Sequence, residues 1–182
     1  MEYVLVATDS DDLFDDVDAS LGDDRCEVGR VNSGAAVFGA VRERQPDLVV
    51  LDLQIGNMGG MATSLHLRNE AGGRRLAPQR ILLLLDRGAD VFLARESEAD
   101  GWMIKPIDSF RLRRAADAVA DGRSWCEHAD GMIDEGEPAE PAVGSPNRAL
   151  TVIRAPEFRI RPEPGSPNRA LTVMRAPEFR IS

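Results

Sequence analysis

The chain has 182 residues, enough for one ordinary domain and some additional material. Its formal charge of −9 is unevenly spread: acids dominate the front and the stretch from Glu127 to Glu140, while Arg148, Arg154, Arg159, Arg161, Arg169, Arg175 and Arg180 make the tail basic. The acidic front argues against a grip on nucleic acid, the tail offers only Phe158 and Phe179 as stacking platforms, and no run approaches the roughly 18 apolar residues of a membrane span.

The chain opens with Met-Glu-Tyr-Val-Leu-Val-Ala, which has no basic segment and reaches Asp9 quickly, so a secretory leader is not expected. Five short apolar runs follow in order: Tyr3 to Ala7, Cys26 to Val31, Leu48 to Leu51, Ile81 to Leu85 and Trp102 to Ile104. Continuous apolar runs fit strands buried on both faces, as in a parallel sheet. Between and after them lie helical spacings: Leu13, Val17 and Leu21; Val37, Phe38 and Val41; Met61, Leu65 and Leu67; Val91 to Ala94; Leu112, Ala115, Ala116 and Val119. The alternation predicts an α/β fold over residues 1–122 with a five-stranded, doubly wound parallel sheet. Cys26 and Cys126 are far apart and no Cys-x-x-Cys occurs, so neither zinc nor a disulfide is expected and a cytoplasmic setting fits.

In such a sheet the functional crevice lies beyond the carboxyl ends of the strands. Thr8, Asp9, Ser10, Asp11 and Asp12 follow the first run, Asp52 follows the third, and Lys105 with Pro106 follows the fifth. An aspartate that accepts a phosphoryl group needs hard oxygen ligands for a divalent cation, and a positive side chain for the charge it gains. Asp9, Asp52 and Lys105 provide that set at three strand ends. Each acid alone also reads as a turn residue or a helix N-cap, Asp11 among them.

The stretches VLVATDSDD, PDLVVLDLQIGNMGG and GWMIKP resemble, in order and spacing, the three signatures of response-regulator receiver domains of two-component systems, which have a flavodoxin-like fold. The resemblance covers about residues 1–122. It implies phosphorylation of Asp52 by a sensor histidine kinase or phosphotransfer protein, contact of Lys105 with the phosphoryl group, and Mg²⁺ held by Asp9, Asp52 and the backbone carbonyl of Gln54. It also implies a cis Lys105–Pro106 peptide. The sequence departs from the pattern where Thr8 replaces one acid of the metal-binding pair and Leu85 replaces a hydroxyl residue. Trp102 stands for a mobile Tyr or Phe, and Gly56 for a proline. These departures leave open a second reading, a pseudo-receiver adaptor that works without phosphorylation. A third reading takes Asp9-Ser10-Asp11 as the nucleophile and acid/base of a haloacid-dehalogenase-like phosphatase.

Beyond Gly122 the periodicity ends, and residues 123–143 read as an acidic linker with Gly and Pro, Trp125 and Cys126 packing against the end of the last helix. Truncation at Gly122 is therefore expected to leave the fold intact. No helix-turn-helix pattern follows, which suggests a stand-alone regulator and not an enzyme. Residues 144–182 form a tail expected to be disordered, in which the 17-residue unit 144–160 recurs as 165–181 with Ile153 matched by Met174 as the only difference. Leu150, Val152 and Phe158, with Leu171, Val173 and Phe179, are the candidate contacts to a repetitive or oligomeric protein, docking as an added strand or into a groove.

Overall fold

The computed structural model describes residues 1–136. Both copies of the repeated unit lie outside the described residues, with Leu150, Val152, Phe158, Leu171, Val173 and Phe179. The elements run β1 (Tyr3–Ala7), α1 (Asp11–Leu21), β2 (Glu27–Val31), α2 (Gly34–Glu43), β3 (Leu48–Asp52), α3 (Gly60–Gly72), β4 (Ile81–Leu85), α4 (Val91–Glu96), β5 (Gly101–Ile104) and α5 (Ser109–Ala120). Two short strands follow, β6 (Trp125–Glu127) and β7 (Ile133–Glu135). The sheet order is β2-β1-β3-β4-β5-β6-β7.

All five expected strands are present and parallel. β3 and β4 are buried along their whole length, as Leu-Val-Val-Leu and Ile-Leu-Leu-Leu-Leu require. Alternate residues feed two cores. Val4, Val6, Val50, Leu82, Leu84 and Met103 face α1 and α5. Leu5, Ala7, Val49, Leu51, Leu83 and Leu85 face α2, α3 and α4. Leu112 of α5 is fully buried, a contribution of roughly 1.5–3 kcal/mol.

Caps fix where the helices begin. Ser10, and not Asp11, caps α1, its hydroxyl accepting from the Leu13 N–H at 3.2 Å. Asp108 caps α5 by accepting from the Arg111 N–H at 2.9 Å. Each such cap is worth about 1 kcal/mol. In α3 the inward face is Gly60, Thr63, Ser64 and Leu67, so Met61 and Leu65 are only half-buried. Gly60 is needed there because a Cβ would stand 2.6 Å from the carbonyl oxygen of Asp52.

The sequence expectation fails between Arg123 and Gly136. The segment read as the start of a linker adds β6 parallel to β5 and β7 antiparallel to β6, making seven strands instead of five. Trp125 is 1% exposed and belongs to the core beside α5. Gly101 permits the close pairing, since a Cβ there would meet the Trp125 carbonyl oxygen at 2.7 Å. Cys126 faces the other core, where burial pushes its thiol pKa up to about 11 and keeps it protonated at neutral pH.

Truncation at Gly122 therefore removes part of the folded unit. A chain ended there should melt roughly 10 °C below one ended at Gly136, given about 3–5 kcal/mol for a buried Trp and about 2–4 °C per kcal/mol. Equal midpoints in thermal scans would show that β6 and β7 are not part of the cooperative unit.

Candidate functional site

The sheet order reverses between β1 and β3, which places a topological switch point at their carboxyl ends. Asp52 closes β3 there and is 4% exposed. A buried carboxylate needs hydrogen bonds and a counter-charge. Asp52 has both. Lys105 Nζ lies 2.8 Å from its Oδ1, the Gln54 N–H donates to the same oxygen at 3.2 Å, and the Thr8 hydroxyl donates to Oδ2 at 3.0 Å. Thr8 is fully buried, and its hydroxyl oxygen in turn accepts from the Ser10 N–H at 3.2 Å.

Asp9 is exposed and reaches the loop that follows Asp52, where its Oδ2 accepts from the Gly56 N–H at 3.2 Å. A proline at 56 has no N–H to give, so the departure at Gly56 provides this contact. Gln54 is exposed in the same loop. Asp9, Asp52 and Gln54 are thus gathered on one rim, while Asp11 pairs with Arg30 at 2.7 Å. Asp11, the second acid of the phosphatase reading, is thus engaged by an arginine whose Nε also donates to the Thr8 carbonyl oxygen. Among the described residues no three His, Cys, Asp or Glu side chains gather as a metal-holding group. Asp9 and Asp52 with the Gln54 carbonyl would form a two-carboxylate, all-oxygen donor set, which suits a hard divalent cation.

Lys105 follows β5, and the Lys105–Pro106 peptide is cis. Its ammonium also lies 3.1 Å from Oδ1 of Asp86, the residue after β4. Burial alone would lower the lysine pKa, but the hydrogen bonds and charges of Asp52 and Asp86 outweigh it and the net shift is upward. Sequence reasoning missed Asp86. The rule that singled out Asp52, an acid directly after an apolar run, applies to it equally.

The position of the expected mobile aromatic is also tied down. Trp102 is 8% exposed, and its indole N–H donates to the Glu127 carbonyl oxygen of β6 at 2.9 Å. Glu127 was read as a linker acid, yet it is 3% exposed. Its Oε2 accepts from the Ile104 N–H at 2.7 Å, and its Oε1 lies 3.4 Å from both the Trp125 indole nitrogen and Arg111 Nε. Arg111 also donates to the carbonyl oxygens of Ile104 and Pro106. The backbone on either side of Lys105 is thus clasped between α5 and β6. Leu85, fully buried, stands where the family resemblance places a hydroxyl.

A parallel sheet with an aspartate buried at its switch point and a lysine against it defines a receiver-type signalling domain, and the comparisons agree. The model of the response regulator receiver domain family matches residues 4–117, more than half of the sequence, and the chain belongs to that family. The DNA-binding response regulator MtrA of Mycolicibacterium smegmatis is 31% identical over 128 residues, covering 66% of this chain and 54% of that protein. The probable transcriptional regulatory protein TcrX of Mycobacterium tuberculosis is 25% identical over 151 residues, covering 79% of this chain and 63% of that protein. Among solved structures, the receiver domain of the putative response regulator NarL from M. tuberculosis superposes with a TM-score of 0.57 at 28% identity, covering 66% of this chain and 97% of that one. A putative response regulator from Chloroflexus aurantiacus shares the fold with a TM-score of 0.59 at 20% identity, covering 65% and 97%. The chain spans about half the length of the MtrA relatives it matches. No helix among the described residues is long and apolar enough to cross a membrane.

Glu127→Ala should destabilise the domain by about 2–3 kcal/mol in urea unfolding, because it leaves the Ile104 N–H unpaired and takes the carboxylate from the partly exposed Arg111. Trp102→Phe should cost less, about 1–2 kcal/mol, for the single indole bond and its unpaired carbonyl. A Glu127→Ala loss below about 1 kcal/mol would mean that the clasp is not a stabilising feature.

Proposed function

We propose that the chain is a phosphorylatable receiver whose acceptor is Asp52, charged by a sensor histidine kinase or a phosphotransfer protein. The observation that carries this reading is the Asp52 carboxylate 2.8 Å from the Lys105 ammonium at the switch point. In the transfer, an Asp52 carboxylate oxygen forms the new bond to phosphorus as the bond to the donor's imidazole nitrogen breaks and leaves its electron pair there. Lys105 balances charge that develops on the phosphoryl oxygens, and Thr8 with the Gln54 N–H holds the carboxylate in place. Mg²⁺, which receivers typically bind beside the phosphorylation site, would supply further neutralisation from Asp9, Asp52 and the Gln54 carbonyl. The neutral Thr8 makes that cation site weaker than one built on two adjacent acids.

A pseudo-receiver adaptor is favoured by one set of observations: Leu85 cannot hydrogen-bond a phosphoryl group, and Trp102 is fastened to Glu127. Acetyl phosphate with Mg²⁺ should nonetheless label the protein, and Asp52→Asn should abolish the label. Amide resonance shifts on beryllofluoride addition should stay close to the rim. An unlabelled wild type moves the assignment to the adaptor.

The output we assign to the tail is protein binding in a cytoplasmic setting, with no catalytic step. The relatives' printed names speak of DNA binding and transcriptional regulation, so the expectation against a nucleic-acid partner draws no support from them. That expectation rests on the acidic front and the two-phenylalanine tail. The first residues of the two copies, Gly144 and Gly165, stand 21 positions apart, a reach of at most about 70 Å in extended chain. Two linked copies raise avidity by roughly 10²–10⁴ only where the partner repeats its site, as a symmetric oligomer or filament does. Leu150→Asp and Leu171→Asp should each sharply weaken binding to the assembled partner. If either alone leaves it intact and only the double variant fails, the copies are redundant and bivalency is wrong.

A further inference from the structure

We infer that Asp86 is a positioning residue that competes with the phosphoryl group for Lys105 and so shortens the phosphorylated state. The inference rests on the reading of Asp52 as the acceptor.

Sheet register makes Asp86 and Lys105 neighbours. The last pair of the β4–β5 ladder is Leu85 with Ile104, so the next residues of the two parallel strands emerge side by side on the rim. Lys105 Nζ stands between two carboxylates, 2.8 Å from Asp52 Oδ1 and 3.1 Å from Asp86 Oδ1. Oδ2 of Asp86 is closed off from solvent and has no hydrogen-bond partner among the described residues. Among the described residues, Lys105 is the one charged partner of the Asp86 carboxylate. Thr8 removes a carboxylate from the cation side of Asp52, and Asp86 restores one on the lysine side. The formal charge of the rim is the same as with an acid at position 8 and none at 86, but its placement is different.

That placement acts against a phosphoryl group in two ways. A dianionic phosphate on Asp52 can engage Lys105 fully only by drawing it from Asp86, which then loses its one charged partner among the described residues. The phosphate would also stand within about 6 Å of a like charge, the range over which charges strongly disfavour one another. Both effects vanish when the Asp86 charge is removed.

The experiment uses the full chain with acetyl phosphate and Mg²⁺, and follows the decay of the acyl phosphate after the donor is withdrawn. Wild type is compared with Asp86→Asn, Asp86→Ala and Asp86→Glu, thermal midpoints serving as the folding control. Asp86→Asn and Asp86→Ala should each lengthen the lifetime about tenfold, the equivalent of one pKa unit of charge interaction. Asp86→Glu, which keeps the charge, should stay near wild type. Unchanged or shorter lifetimes in the Asn and Ala variants overturn the inference while leaving Asp52 as acceptor. A lengthened lifetime in Asp86→Glu equal to that of Asp86→Asn overturns it as well, because shape and not charge would then be at work. Absence of label from all four proteins overturns the acceptor role of Asp52 and the competition with it. Label on the neutral variants alone supports the competition.

Discussion

Asp52 ends a strand whose five residues are all buried, so its carboxylate stands where water cannot solvate it. The effective penalty for such a charge is several kcal/mol, and it has to be offset on the spot. The offsetting groups come from three places along the chain. Thr8 follows β1, the Gln54 N–H follows β3 itself, and Lys105 follows β5. They converge only if β1 and β4 flank β3 and β5 lies beyond β4, which is the observed order. The two apolar cores hold the strands in that order. The pairing at the rim gives the order a chemical use.

A second buried acid, Glu127, repeats the logic beyond β5. β5 would end with unpaired backbone groups if nothing covered it. β6 pairs with Gly101 and Trp102, after which the Glu127 side chain takes over and accepts from Ile104. Arg111 neutralises the charge and braces the carbonyls on both sides of Lys105. The lysine that faces Asp52 is therefore held from behind by a network that begins with a three-residue strand.

The five central strands are legible because a strand buried on both faces is written as an unbroken apolar run. Asp52 and Lys105 are legible because they directly follow such runs, and Asp9 because it stands one residue beyond one. β6 and β7 are not, since Trp-Cys-Glu and Ile-Asp-Glu are short and sit among acids and glycines that otherwise signal a solvated linker. Nothing local in the sequence tells that Glu127 meets a backbone N–H and an arginine brought by α5. Packing decides it. Gly56 is a similar case: it reads as a missing proline, and only the fold turns the gained N–H toward Asp9.

The departures from the family pattern have a common physical sense. Leucine at 85 has no hydroxyl with which to follow a phosphate. Trp102 cannot leave its slot without breaking the bond to Glu127 and opening the contact between β5 and β6. The two positions that the resemblance gives to a hydroxyl and a mobile aromatic are filled by a buried leucine and a hydrogen-bonded tryptophan. The charge that remains adjustable is Lys105, shared between Asp52 and Asp86 at nearly equal distances. An ammonium between two carboxylates can follow a change at one of them by a small displacement toward it, with the sheet unmoved. If Asp52 is phosphorylated as proposed, such a displacement would absorb the new charge locally, while the backbone at Ile104 and Pro106 is held by Glu127 and Arg111.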